Sequence, residues 1–256
     1  MTNVKKYFCA HLRASIRPMI FILVIVLGIT CLARLGTEKN VRFDYETNQM
    51  ETGYRSTLYI PAFFMSILTY IIPVMEFSFF KKRINLDCVY SLPISRTAMG
   101  AVHYITGLIM LWGTFTLSYL LNFIFILIRG IENIQTPPVT DHYLLCLLLG
   151  FAIYSMMVFV FNEANTVGDG ILFMILYTFV LFVVSFAGAV WISEFADIYS
   201  KGKMFLLPWG TVMEVTGACQ YRAEKLGNVL FWENSKYIGV ILFWVAVGIA
   251  SIAIFF

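Results

Sequence analysis

The amino-acid sequence predicts an all-α, polytopic membrane protein, and three observations support this prediction. Of its 256 residues, 60% are apolar and only 13% are charged, whereas a soluble domain keeps about a quarter of its residues charged. Apolar runs of about 18 residues or more, the length of a bilayer-spanning helix, recur along the whole chain. Phenylalanine alone supplies 24 residues. We therefore expect a single transmembrane domain over residues 1–256.

Hydropathy places six transmembrane helices along this domain. The first follows a basic stretch, but its apolar run is long and no A-x-A site closes it cleanly, so we interpret it as a retained signal-anchor helix. The predicted spans are about 18–35, 58–80, 101–128, 142–161, 170–193 and 237–256.

The residues before the first span, 4–17, form an amphipathic segment. Its apolar side chains recur at helical spacing, with basic residues roughly opposite. This pattern predicts an interfacial helix on the inner leaflet before the chain turns into the membrane at Pro18. A basic flank that only sets topology is an equally good interpretation. The apolar face consists of Val4, Phe8, Leu12 and Ile16.

Topology follows from the basic residues that flank the spans. Lysine and arginine concentrate in residues 5–17 and 81–96, and both segments lie on the same side if every span crosses. The positive-inside rule makes that side cytoplasmic. Six crossings then place both termini in the cytoplasm.

Two segments lie on the predicted outer side. Residues 36–57 are polar and contain no run able to cross. The segment of about 204–220 is apolar but is interrupted by Pro208 and charged by Glu214. We expect one or two short helices re-entering the outer leaflet there, with Trp209 at headgroup depth. A soluble outer loop folded over the bundle is the alternative.

The sequence offers no motif for catalysis, and we expect no enzyme activity from this chain. It contains no H-E-x-x-H and no G-x-S-x-G, and the five cysteines have no metal-ligand spacing. The three histidines, His11, His103 and His142, are isolated from one another in the sequence. We therefore expect no catalytic, cofactor-binding or metal site. Glu76 lies near the inner edge of the second span, where we expect it to pair with Lys81 or Lys82.

The chain also lacks the means to power transport by itself. It has no G-x-x-x-x-G-K-[ST] motif to cradle nucleotide phosphates. Its formal charge of +3 is too small to indicate nucleic-acid binding. Energy for uphill movement would have to enter through a cytoplasmic contact with another subunit.

The inner segment "KKRINLDCVYSLPISRTAMG", residues 81–100, is the best candidate for that contact. We predict a short helix over 85–90, a break at Pro93 and Ser95 as the N-cap of the next helix. Apolar groups exposed to the cytosol within a charged rim suit a protein partner. The predicted docking residues are Asp87, Tyr90, Ser91, Leu92, Pro93, Ile94 and Arg96.

A second inner segment, residues 162–170, is short and polar. Its carboxylates, Glu163 and Asp169, could make a smaller contact with the same partner. A plain connecting turn needs no partner and is the simpler interpretation.

The stretch "FSFFKKRINLDCVYSLPISRTAMGAVHYITGL", residues 77–108, resembles permease subunits of bacterial ABC exporters. Those carry a K-K-R…D…S-L-P-x-x-R pattern followed by a helix with a tyrosine and a glycine. The outer segment with Pro208 and Trp209 is similar to the re-entrant helices of type V exporters. The matching residues here are Asp87, Ser91, Leu92, Pro93, Arg96, Tyr104 and Gly107.

The resemblance implies a permease in a bacterial plasma membrane, whose coupling helix docks into an ATPase. The implied partners are two cytoplasmic ATPase subunits, which bind ATP and Mg²⁺, a second permease chain, identical or homologous, and membrane lipid. This chain would bind no cofactor and no nucleic acid. The implied activity is export of a hydrophobic or amphipathic substrate such as a peptide, antibiotic or lipid. The alternative is a scaffold or sensory subunit that docks a partner without transporting anything.

Overall fold

The computed structural model describes a helical chain with one small hairpin. The described residues are 2–35, 40–44, 49–53, 58–81, 93–128, 136–195, 208–225 and 235–255. Their elements are, in order, α1 (Thr2–Leu35), β1 (Asn40–Asp44), β2 (Gln49–Gly53), α2 (Tyr59–Phe77), a 3₁₀ turn (Ser78–Lys81), α3 (Arg96–Ile128), α4 (Thr136–Glu163), α5 (Val167–Phe195), α6 (Pro208–Lys225) and α7 (Ser235–Phe255).

Six of these helices, all except α6, are long and apolar enough to cross a membrane. This confirms the prediction of a helical, multi-pass membrane fold. Helices α1, α3, α4 and α5 extend beyond the predicted spans, because hydropathy marks only the apolar part of a helix, whereas backbone hydrogen bonding continues into the polar flanks.

Helix α4 forms the centre of the bundle. In its most apolar 18-residue stretch, 72% of the residues are buried, against 12% in α5. Apolar character does not explain this difference, because both helices are apolar and an apolar helix can also face lipid. Helix α4 carries small and polar side chains at its contacts, such as Ala152 and His142. Helices α2, α3, α5, α6 and α7 all pack against α4, whereas α1 packs mainly on α3.

Small residues allow the closest helix contacts. A Cβ atom added to Gly248 of α7 would lie 2.8 Å from the Cα atom of Ala152 in α4. The absence of a side chain there lets the two backbones approach, as small residues do in membrane bundles. Gly107 of α3 makes room in the same way for the ring of Tyr154, whose hydroxyl bonds the carbonyl of Tyr104.

Helix α1 differs from its prediction. The sequence predicts a turn at Pro18 between an interfacial helix and a span, but the structure has one continuous helix of 34 residues, about 51 Å long. Proline is tolerated within membrane helices because neighbouring groups satisfy the freed carbonyl. The amphipathic segment is therefore the first half of α1. Its basic residues are exposed, and the face that turns toward α2 and α3 carries Tyr7, His11 and Ser15.

Residues between α1 and α2 include the antiparallel strands β1 and β2, which pair Asn40 with Gly53 and Asp44 with Gln49. The fold class is all-helical as predicted, and this hairpin is a small addition to it. The residues of β1 alternate between polar and apolar types, a period typical of strands. A hydropathy average over a window as long as a span does not show this alternation.

Helix α6 lies alongside α2, with its first turn near the middle of the bundle and its later residues near the start of α2. Gly217 lies next to the hydroxyl of Tyr59, and the indole N–H of Trp209 donates to the hydroxyl of Tyr70, 2.7 Å away. Helix α6 thus runs antiparallel to α2, and Trp209 lies beside the second half of α2. That Trp209 lies at headgroup depth stays a prediction.

Helix α1 begins and α7 ends at the same end of the bundle. The hydroxyl of Tyr7 is 3.0 Å from Nε2 of His103 near the start of α3. The ring of Phe255 packs edge-on against Phe77 at the end of α2. We call this the α2–α3 end.

The contact between Gly248 and Ala152 predicts the effect of a larger side chain. Gly248→Val should force α7 away from α4 and destabilise the protein by about 1–3 kcal/mol, the usual range for an overpacked interior. Gly239→Val is the matched control, because a Cβ atom there meets nothing within 4 Å. Thermal unfolding in detergent measures both, and equal melting temperatures for the two variants would contradict the packing described.

Candidate functional site

The predicted docking segment is described only at its two edges. Asp87, Tyr90, Ser91 and Leu92 lie outside the described residues. Pro93 and Arg96 are exposed, and Ile94 is half-buried.

Ser95 caps the helix that follows this segment. Its hydroxyl oxygen accepts from the backbone N–H of Ala98 at 3.3 Å, and its carbonyl accepts from Met99 at 3.0 Å. The prediction that Ser95 is the N-cap of α3 is therefore confirmed.

The second predicted contact lies in the turn between α4 and α5. Glu163 ends α4 and is exposed. Asp169 is also exposed, and its backbone N–H and carboxylate both bond the hydroxyl of Thr166, at 3.1 and 2.7 Å. The hydroxyl of Thr166 thus caps the N-terminus of α5. Asp169 has a structural role there, and its contact with a partner stays a prediction.

Lys81 joins the two segments. Its ammonium group donates to the carbonyl of Asn162 at 3.1 Å and to the carbonyl of Ala164, and it lies 5.3 Å from the ring centre of Phe161. Cations at a helix C-terminus satisfy its last carbonyls and favour its dipole. The end of α2, where the docking segment begins, is thereby fixed to the end of α4.

Glu76 has different partners from those predicted. The sequence predicts a pair with Lys81 or Lys82, but Lys81 is engaged by carbonyl groups of α4. The Oε2 atom of Glu76 instead lies 2.7 Å from Nε2 of His11, and its Oε1 accepts from the hydroxyl of Ser15 at 3.2 Å. The prediction is wrong for Lys81, because α1 packs across the end of α2 and presents polar groups to Glu76 there. Lys82 lies outside the described residues.

His103 completes this cluster from α3. Its Nδ1 atom lies 3.0 Å from the backbone carbonyl oxygen of Glu76 and 3.4 Å from Oε2. The ring centres of His11 and His103 are 3.9 Å apart. We call His11, Glu76 and His103, with Tyr7 and Ser15 beside them, the Glu76 cluster. The expectation of isolated histidines is therefore wrong for His11 and His103.

The Glu76 cluster is enclosed. The side chains of Glu76 and His103 are 5% and 3% exposed, and that of His11 is 19% exposed. Burying a carboxylate is costly unless hydrogen bonds replace its water, and His11, Ser15 and His103 supply polar contacts to it. Among the residues that the structure describes, it is the one group of three whose ligand atoms all lie within 4.8 Å of one another.

The sequence carries only a weak signal for this cluster. His11, Glu76 and His103 belong to three helices, and nothing in their spacing joins them. The available hint is position, because Glu76 and His103 lie within apolar stretches of α2 and α3 near the α2–α3 end. Only the packing of the helices shows that the three residues form one site.

His142 forms a separate buried cluster at the opposite end. It lies 3.2 Å from the hydroxyl of Tyr119, 3.0 Å from that of Thr216 and 3.3 Å from the thiol of Cys146. These contacts join α3, α4 and α6. Both ring nitrogens have neutral partners, which fits a structural hydrogen-bonded histidine.

Comparison with models of protein families and with curated proteins found no match to this chain. The resemblance of residues 77–108 to exporter permeases therefore rests on the residues quoted above.

The Glu76 cluster predicts a large effect of removing its carboxylate. Glu76→Ala should cost about 1.5–3 kcal/mol of stability, the usual worth of hydrogen bonds to a charged group. Glu163→Ala, which removes an exposed carboxylate, should change stability by less than about 0.5 kcal/mol. Thermal unfolding in detergent compares them. A Glu76→Ala protein as stable as Glu163→Ala would mean that the cluster does not hold α1 in place.

Proposed function

We propose that this chain is the permease subunit of an ATP-driven ABC exporter, working with a second permease chain and two cytoplasmic ATPase subunits. The observation that carries the proposal is the stretch of residues 77–108, with its S-L-P-x-x-R core between two spans. The six helices able to cross a membrane and the absence of a nucleotide-binding motif from the sequence support it.

The contacts at the α2–α3 end support a role for residues 82–92 in receiving force. Lys81 fixes the start of this segment to the carboxyl end of α4. Ser95, two residues after Pro93, caps the start of α3. A displacement of the docked segment would therefore act on α2 and α3 through the chain, and on the central helix α4 through Lys81. In the proposal this end is cytoplasmic.

Helix α6 supports the re-entrant part of the proposal. It begins with Trp209 beside the second half of α2 and runs back along α2. The partner of Trp209, Tyr70, also bonds the hydroxyl of Thr178 in α5 at 2.8 Å. The three side chains form a chain of hydrogen bonds through α6, α2 and α5. Movement of α2 against α5 would strain these hydrogen bonds. A movement that starts at the ATPase end would therefore also displace α6 in the outer half of the bundle.

The proposed cargo class follows from the exposed apolar surface of α5. Helix α5 exposes large apolar and aromatic side chains along the described part of its length, including Phe173, Phe179 and Phe182. Lipid or a second permease chain would cover such a surface. We propose a hydrophobic or amphipathic cargo, such as a peptide, antibiotic or lipid, at the seam between two permease chains.

Copurification tests the proposal. The tagged chain is expressed with its gene neighbours and purified in mild detergent, and we expect a Walker-motif ATPase to accompany it. Arg96→Glu and Leu92→Asp should each release the ATPase, because they introduce charge or reverse it on the proposed docking surface. Arg42→Glu, a charge reversal in β1 on the predicted outer side, is the control.

ATP hydrolysis by the purified complex separates transport from scaffolding. Stimulation by a hydrophobic cargo supports an exporter, whereas constant hydrolysis with every cargo tried would favour a docking subunit. Recovery of the wild-type chain without any Walker-motif protein would overturn the proposal. Retention of the ATPase by both variants would instead show that the docking residues are wrong.

A further inference from the structure

We propose that the Glu76 cluster is a binding site for one divalent first-row transition-metal ion, of which Zn²⁺ is the model, held by His11, Glu76 and His103. The inference stands on the geometry of the α2–α3 end and does not depend on the proposed transport function. The site would join three helices through one ion, with Nε2 of His11, Oε2 of Glu76 and Nδ1 of His103 as the ligand atoms.

The ligand set suits this class of ion. Two imidazoles and one carboxylate are a common three-residue set for zinc, with a further position left for water. Imidazole also favours copper, iron and nickel, whereas Mg²⁺ and Ca²⁺ prefer sites made entirely of oxygen. A divalent ion on one carboxylate and two neutral imidazoles leaves a net charge of +1. Water can solvate this charge at the partly exposed side chain of His11.

The distances fit an ion after small movements. Oε2 of Glu76 is 2.7 Å from Nε2 of His11 and 3.4 Å from Nδ1 of His103, and all three ligand atoms lie within 4.8 Å. Tetrahedral ligands at zinc bonding distances lie about 3.3 Å from one another. The carboxylate and His11 must separate by about half an ångström, and His103 is already at the required distance from Oε2.

The surrounding groups orient the ligands. The hydroxyl of Ser15 donates to Oε1 of Glu76, which leaves Oε2 to face the two histidines. The hydroxyl of Tyr7 lies 3.0 Å from Nε2 of His103, the ring nitrogen turned away from the site. Metal-binding histidines commonly donate this second N–H to an oxygen, which fixes the tautomer.

Metal binding requires a change of tautomer in the histidines. Without an ion, the N–H at Nδ1 of His103 donates to the carbonyl of Glu76, and the hydroxyl of Tyr7 donates to Nε2. With an ion, the ring proton of His103 lies on Nε2 and donates to the oxygen of Tyr7, and Nδ1 turns its lone pair from that carbonyl to the ion. A neutral His11 likewise carries its one proton on Nδ1 and binds through Nε2, and neither neutral ring loses a proton.

Aromatic rings exclude water from the buried side. The ring of Phe80 lies edge-on to His103 with centres 4.6 Å apart, and Tyr7 stacks on His11 with centres 6.0 Å apart. The remaining access is past His11. Since α1 packs mainly on α3, an ion shared with Glu76 would tie α1 to the end of α2 and stiffen the α2–α3 end.

Metal titration of the intact detergent-solubilised chain tests this site. The protein carries a histidine-free affinity tag and is stripped with EDTA, then titrated with ZnCl₂ in a calorimeter and with CoCl₂ in a spectrophotometer. We expect one Zn²⁺ per chain, a visible Co²⁺ absorption band typical of tetrahedral nitrogen and oxygen ligation, and no comparable binding of Mg²⁺. Zinc should also raise the melting temperature of the wild type.

Variants distinguish the site from adventitious binding. His11→Ala and Glu76→Gln should each weaken zinc binding by about 100-fold or more and abolish the Co²⁺ band, while Tyr7→Phe, which alters only the orienting group, should weaken binding by about tenfold and keep the band. Glu163→Gln, at an exposed carboxylate, is the matched control and should bind like the wild type.

Two results would overturn the inference. One is a wild type that binds no more zinc than Glu76→Gln. The other is a His11→Ala protein that keeps both the stoichiometry and the Co²⁺ band. His11 is the most exposed ligand, so its variant has the best chance of folding. Monodisperse elution and a wild-type helical circular dichroism spectrum establish that each tested variant is folded.

Discussion

The central position of α4 is the constraint on which the rest of the bundle depends. Five other helices pack against it, and small and polar side chains of α4 lie at those contacts, as in other membrane bundles. Close approach is possible where side chains are small, as at Ala152 opposite Gly248. Helices α1 and α5 then lie at the periphery, where only 17% and 12% of their most apolar stretches are buried.

Polar groups within this apolar bundle decide how its two ends are fixed. At one end, His142 joins α3, α4 and α6 through neutral hydrogen bonds. At the other, Glu76 joins α2 to α1 and α3. An ionisable group without a partner would be costly here, so each group determines which helix faces must meet. The charged cluster lies at the end where the chain also presents its S-L-P-x-x-R segment.

The contacts of Lys81 and Glu76 connect four helices at the α2–α3 end. Lys81 connects α2 to the last carbonyls of α4, and five residues earlier in the chain Glu76 connects α2 to α1 and α3. A partner protein acting on residues 82–92 would therefore act beside both connections. In the proposed exporter, force from the ATPase reaches α4 through Lys81, and a metal ion at Glu76 would determine how freely α1 follows α2.

Composition and hydropathy determined the class of fold, because 18 or more apolar residues in succession have few uses other than crossing a bilayer. Local chemistry determined the cap at Ser95, because an N-cap needs only its own helix. The partners of Glu76 could not be predicted in the same way. Residues on α1, α2 and α3 meet there because of packing around α4, and helical periodicity does not show which faces touch. The sequence thus determined which segments form helices and where some begin, while only the tertiary structure decided that Lys81 faces α4 and that His11, Glu76 and His103 share one site.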